Sequence, residues 1–179
     1  MKILKNILKS ELNIRTEKDF PIEGIEFIDV NSLVIRKATF REITNLFVEE
    51  IREKNVDYIV SPEARGFLFG CPVANTLNVG FIPVRKKGKL APTTVEAQFE
   101  YEKEYGKDIL ELPKLINDEN YKDKNFYIID DIYATGNTAR AIKEAVEKLG
   151  GNIVGTGVVI NIKELNNDDI FSMIDINEE

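Results

Sequence analysis

The residues with the most to offer chemically lie in one run, Phe126-Tyr127-Ile128-Ile129-Asp130-Asp131-Ile132-Tyr133-Ala134-Thr135-Gly136-Asn137-Thr138. An apolar stretch leads into two acids, a turn of small residues and the start of a helical pattern. Small residues let successive backbone N–H groups point into one concavity, and the N-terminus of the following helix adds the positive end of its dipole. Ala134, Thr135, Gly136, Asn137 and Thr138 are therefore suited to cradle a phosphate. Thr135 and Thr138 add hydroxyl donors. Asp130 and Asp131, at the carboxyl end of a strand beside this turn, can accept hydrogen bonds from the two hydroxyls of a ribose, and their charge favours a cationic transition state. The combination points to a reaction in which C1′ of a ribose 5-phosphate becomes oxocarbenium-like as its leaving group departs. An Asp-Asp pair alone is more often a helix cap, and Ala-Thr-Gly alone an ordinary strand-to-helix turn. The chemistry is carried by the whole run.

A second segment of this kind is Glu63-Ala64-Arg65-Gly66, which follows an apolar strand pattern and opens a helix. Its backbone N–H groups and the Arg65 guanidinium can hold another anion. The plainer alternative is a surface Glu-Arg ion pair before a glycine turn. The densest positive charge is Arg85-Lys86-Lys87-Gly88-Lys89, in a chain whose 24 Lys+Arg and 31 Asp+Glu leave a net charge of -7. Such a run is usually a solvated face. At the end of a strand and the root of a long polar segment, it can also neutralise a departing anion. The chain has no histidine, which excludes Ser-His-Asp and Cys-His hydrolases and His-ligated zinc and leaves acid-base work to carboxylates, Lys or Tyr.

The elements that must position these residues follow from periodicity. Ile3, Leu4, Ile7, Leu8 and Leu12 predict an amphipathic N-terminal helix ending before Asp19-Phe20-Pro21, followed by an extended piece around Ile25 to Val30. Phe40, Ile43, Phe47 and Ile51 share one face of a helix over 37–54. Strands are predicted at Val56 to Ser61, Val79 to Arg85, Lys107 to Leu112, Phe126 to Ile129, Asn152 to Ile160 and Ile170 to Ile176, with helices at Gly66 to Leu77 and Asn137 to Leu149 and a turn or short helix at Lys163 to Asn166. Strands alternating with helices predict an α/β fold with a mainly parallel central sheet flanked by helices, whose ligands sit beyond the carboxyl ends of the strands. The polar stretch of about 86–106 reads as a long catalytic loop.

The run from Phe126 to Thr138 resembles the signature by which type I phosphoribosyltransferases bind phosphoribosyl pyrophosphate (PRPP), and the likeness extends from Asp19 to about Ile160, most closely to members of that family that use adenine. Asp19-Phe20-Pro21, Gly24, Phe27 and Asp29 resemble the N-terminal purine-site segment, Glu63 to Gly70 the pyrophosphate loop, and Arg85 to Leu90 with Glu104-Tyr105-Gly106-Lys107 the two ends of the catalytic flexible loop. The resemblance implies transfer of the 5-phosphoribosyl group of PRPP to adenine, giving AMP and diphosphate, in a homodimer. It implies Mg²⁺ held mainly through PRPP oxygens, as suits a cation that prefers oxygen ligands and keeps its waters. It assigns Arg85 and Lys89 to pyrophosphate, Glu104 to base recognition and proton shuttling, Tyr105 to a neighbouring hydroxyl, the backbone of Glu26 to the 6-amino edge, and Phe27 to stacking on the base. An isolated Phe is otherwise more often core. Three departures stand out: Ile28 where Arg is usual, Gly136-Asn137 where Gly-Gly is common, and a loop about two residues longer than usual. Asn at 137 fits the ease with which Asn takes left-handed backbone. Transfer to xanthine or hypoxanthine and guanine, or a non-catalytic PRPP-sensing regulator, are the alternatives on the same scaffold.

With 179 residues and 43% hydrophobic content the chain is expected to form one domain, with 1–35 as an arm or hood over the purine site and 36–179 as the core. The negative charge argues against general nucleic-acid or membrane-surface binding. The lone Cys71 reads as a small packing residue, and a reducing, cytoplasmic setting is expected, with neither a signal peptide nor a membrane span.

Overall fold

The computed structural model describes residues 14–20, 22–24, 26–103, 106–117 and 119–176. The expected N-terminal helix lies almost wholly outside these residues. Its expected last residues instead form strand β1 (Arg15–Lys18), paired antiparallel with β2 (Glu26–Asp29) from Arg15 opposite Asp29 to Lys18 opposite Glu26. Every residue of β1 is solvent-exposed, so no apolar alternation betrays it. A single helical turn, α1 (Asn31–Val34), leads into α2 (Lys37–Ile51), which buries the predicted Ile43, Phe47 and Ile51 together with Val48.

The remaining elements are β3 (Tyr58–Pro62), α3 (Arg65–Leu77), β4 (Gly80–Lys86), β5 (Val95–Lys103), β6 (Gly106–Pro113), β7 (Asn125–Tyr133), α4 (Asn137–Lys148), β8 (Asn152–Ile162) and β9 (Phe171–Ile176). Short 3₁₀ turns lie at Pro92–Thr94 and Lys163–Leu165. Strands β3 to β9 form a seven-stranded sheet in the order β5-β6-β4-β3-β7-β8-β9. The run β4-β3-β7-β8-β9 is parallel, and the β5–β6 hairpin extends it antiparallel from β4. Of the stretch expected as a long loop, 95–103 is strand. Its strict alternation of Val95, Ala97, Phe99 and Tyr101 with Glu96, Gln98, Glu100 and Glu102 is the period of a half-buried strand.

Strand β7 shows how the sheet builds two cores. Tyr127 and Ile129 pack with Phe47, Phe69 and Val73 of α2 and α3, whereas Phe126 and Ile128 join a second cluster with Ile142 and Val146 of α4. Alternate residues of one buried strand thus face opposite helical layers, which is why the run is apolar without a break. Cys71 departs from expectation: it is exposed on α3 rather than packed inside.

Candidate active site

Strand β3 connects through α3 to β4 on one side, while β7 connects through α4 to β8 on the other. Because β3 and β7 are parallel neighbours, their carboxyl ends flank the point where the chain's winding reverses, where such sheets open a crevice. The turn after β3 holds Glu63 to Gly66, and the end of β7 holds Asp130 and Asp131 with Ala134 to Thr138 just beyond.

These two segments touch. A Cβ on Gly66 would lie 3.0 Å from Asp130 Oδ1, 3.1 Å from Pro62 Cδ and 3.2 Å from the Ile129 carbonyl, so any side chain here would make α3 or the end of β7 give by a few tenths of an ångström. Asp131 continues the row of Tyr127 and Ile129 toward α3, and its Oδ2 lies 2.8 Å from Arg65 Nε. That oxygen is buried and accepts no well-directed hydrogen bond, so it retains acceptor capacity. Asp130 Oδ1 accepts from the Asp131 backbone N–H at 2.8 Å. Burial first, and the neighbouring Asp131 charge second, push the Asp130 carboxyl well above the usual carboxylate range, while Arg65 opposes the shift.

Glu63 is half-buried and forms an ion pair with Arg85, whose guanidinium also lies 5.9 Å from the Phe67 ring centre. The Glu63–Ala64 peptide is cis. Lys86, Lys87 and Lys89 are exposed, and the Lys89 N–H donates to the Lys86 carbonyl at 3.1 Å around a turn. The charge run thus divides into one buttressed arginine and three solvated lysines. The Phe27 ring lies 6.0 Å from the Arg65 guanidinium and 5.1 Å edge-on from Phe20, which brings the β1–β2 hairpin against the residue that opens α3. A cleft of about 330 Å³ runs between Arg15, Phe20, Phe27 and Asp29. Glu26 stands opposite Lys18 in this hairpin. Glu104 and Tyr105 fall between β5 and β6, outside the described residues.

In the Ala134 to Thr138 turn, Gly136 takes φ of 80° and Asn137 begins α4. The left-handed position is therefore Gly136, and Asn137 has no need of the conformational latitude expected of it. Gly136 caps α4 without a side chain, so the first N–H groups of the helix keep no side-chain acceptor. Sequence reasoning missed the residues behind this turn: Arg140, Asp168, Tyr133 and Asn166 bond to it or to one another. Arg140 lies three residues past Asn137 on one helix face, a readable signal. Asp168 and Asn166 come from a segment that reads only as a turn.

The sequence profile of the phosphoribosyl transferase domain family matches residues 29–178. The adenine phosphoribosyltransferase of Clostridium acetobutylicum is 47% identical over 157 residues, 88% of each chain. Among solved structures, the adenine phosphoribosyltransferase of Thermoanaerobacter pseudethanolicus superposes with a TM-score of 0.83 at 36% identity, covering 96% of this chain and 99% of its own. That of Saccharomyces cerevisiae, solved with an imino-altritol bisphosphate and adenine, gives 0.82 at 36% identity over 97% of this chain and 99% of its own.

Proposed function

Because the chain belongs to the phosphoribosyltransferase family, we propose that it is an adenine phosphoribosyltransferase, transferring the 5-phosphoribosyl group of PRPP to adenine to give AMP and diphosphate. The observation that carries this reading is the contact of the Glu63 to Gly66 turn with the paired acids at the end of β7, Gly66 against Asp130 and Arg65 against Asp131, with the Ala134 to Thr138 turn following directly on those acids in the chain. A crevice with such turns side by side suits a sugar phosphorylated at both ends.

In this reading the 5′-phosphate lies on Ala134, Thr135, Gly136, Asn137 and Thr138, and the pyrophosphate on Glu63, Ala64, Arg65 and Gly66 with Arg85 and Lys89. Asp130, biased toward its protonated form, and Asp131, tied to Arg65, offer a donor and acceptors to the ribose hydroxyls while keeping negative charge beside C1′. The bond from C1′ to the pyrophosphate oxygen breaks, its electron pair leaving with diphosphate, and the bond from C1′ to N9 of adenine forms. Glu104 takes the N9 proton, Tyr105 lies alongside, and Phe27 and the Glu26 backbone meet the base. Positive charge from Arg65, Arg85 and Lys89 stabilises the departing anion. Mg²⁺ would be held mainly through the oxygens of PRPP and would neutralise charge on the pyrophosphate; Asp131 Oδ2, buried and 2.8 Å from Arg65 Nε, is already ion-paired and is not assigned to it. Residues 1–35 serve as the hood of a single catalytic domain.

We also take the working form to be a cytoplasmic homodimer. No helix among the described residues is long and apolar enough to cross a membrane.

Initial rates with PRPP, Mg²⁺ and each purine base test the reading. Nucleotide is expected with adenine and not with xanthine, hypoxanthine or guanine. Turnover of xanthine without adenine overturns the base assignment, and PRPP binding without turnover of any base makes the protein a sensor rather than an enzyme.

A further inference from the structure

The turn from Ala134 to Thr138 is gripped from behind by side chains to which the proposed reaction gives no part. Arg140, one turn into α4, donates from Nη2 to the Thr135 carbonyl and to Asn137 Oδ1 at 2.9 Å, and from Nη1 to Asp168 Oδ2 at 2.8 Å. Asp168 Oδ2 also accepts from the Tyr133 hydroxyl at 2.7 Å. Asn166 Nδ2 donates to the Ala134 carbonyl at 2.7 Å and is itself tethered to Asn161 Oδ1 at 2.9 Å and the Ile162 carbonyl at 3.0 Å. A Cβ on Gly136 would run into the Tyr133 hydroxyl and come within 2.7 Å of Arg140 Nη1, so guanidinium and phenol lie directly against the turn.

In a trans peptide the carbonyl and the following N–H point in opposite directions. Holding the carbonyls of Ala134 and Thr135 on the Arg140 and Asn166 side therefore aims the N–H groups of Thr135 and Gly136 the other way. We propose that Arg140, anchored by Asp168, is a positioning residue that fixes the aim of the phosphate-binding N–H groups, with Asn137 completing its set of acceptors. This rests on the assignment of that turn to the 5′-phosphate of PRPP. It also gives the Asn137 side chain a structural task at a position where glycine is common.

The test uses the full chain, with wild-type turnover of adenine and PRPP as the control: without that turnover the functional reading fails before this inference is reached. Arg140→Ala is expected to raise KM for PRPP about tenfold and to weaken calorimetric binding of ribose 5-phosphate similarly, while KM for adenine and binding of Mg²⁺-pyrophosphate stay within about twofold. Arg140→Lys keeps the charge but cannot span three acceptors, so it should recover less than half of the loss. Full recovery by Arg140→Lys overturns the positioning role in favour of charge alone. An unchanged KM for PRPP in Arg140→Ala, or equal weakening of ribose 5-phosphate and pyrophosphate, overturns it outright. Should Arg140→Ala not fold, Asp168→Asn keeps an acceptor for Tyr133 and is expected to raise KM for PRPP about threefold with folding intact. An unchanged KM there overturns the proposal equally.

Discussion

Arg65 Nε stands 2.8 Å from Asp131 Oδ2, joining the residue that opens α3 to an acid at the end of the neighbouring strand β7. Asp131 is only 3% exposed, whereas the Arg65 side chain is 45% exposed. Removing the guanidinium leaves a buried carboxylate without its counter-charge and removes a donor from the proposed pyrophosphate turn. Arg65→Met is expected to lower kcat/KM for PRPP by about a hundredfold, the ~2.7 kcal/mol of a lost charged contact. The melting temperature should fall as well, because the Asp131 carboxylate left behind is buried and has lost its counter-charge. Steady-state kinetics and calorimetry on one sample decide it; kcat/KM within twofold of wild type removes Arg65 from the site.

Asp130 yields a pH-dependent stability prediction. Its folded-state pKa is raised, so ionising it costs the folded protein free energy: stability is fully present below the unfolded pKa and is lost as pH rises through the folded value. Asp130→Asn removes that cost. The variant is expected to melt above wild type at pH 8, with the gap closing toward acid pH. Its kcat should fall at least tenfold at the same time. A gap that widens toward acid contradicts the assigned sign.

Gly136 combines positive φ with a space already filled by Tyr133 and Arg140. Gly136→Ala introduces left-handed strain of about 1–2 kcal/mol and pushes the clasp away from the turn. We expect a lower melting temperature and at least a tenfold rise in KM for PRPP, with the KM for adenine little changed. Retained PRPP affinity in a well-folded Gly136→Ala protein contradicts this account of the turn.

Glu104→Gln separates chemistry from binding. If the carboxylate accepts the N9 proton as the bond to C1′ forms, kcat falls by about 10²-fold or more while the dissociation constant for PRPP stays within twofold. Single-turnover and equilibrium titrations give the two quantities independently, and unchanged turnover removes the role.

Legibility in the sequence tracked burial. The runs Phe126 to Ile129 and Asn152 to Ile160 announced themselves because both faces of β7 and β8 are covered. The amphipathic face of α2 was equally plain, since a helix with one buried side repeats its apolar residues at 3.6. Strand β1 was invisible because all of it meets solvent, and α1 because a single turn has no period to detect. Strand β5 carried a readable alternation, masked by the charged character of its outer face. At the site, the small-residue turn and paired acids were legible because their backbone conformation needs particular residue types. The contact of Arg65 with Asp131 was not, because it depends on β3 and β7 lying side by side although 62 and 125 are far apart in the chain.

The β5–β6 hairpin is zipped together over eight paired positions, yet among the described residues it meets β4 at two, Arg85 opposite Glu111 and Lys86 opposite Leu110, with one more backbone bond from the Lys87 N–H to the Ile109 carbonyl at 3.0 Å. Those two rungs belong to the very end of β4, the segment that presents Arg85 to Glu63. The guanidinium is therefore anchored at the short splice where hairpin and sheet are joined, while the body of the hairpin leans on α4 through the cluster that Tyr101, Leu110 and Leu112 share with Ile142 and Val146.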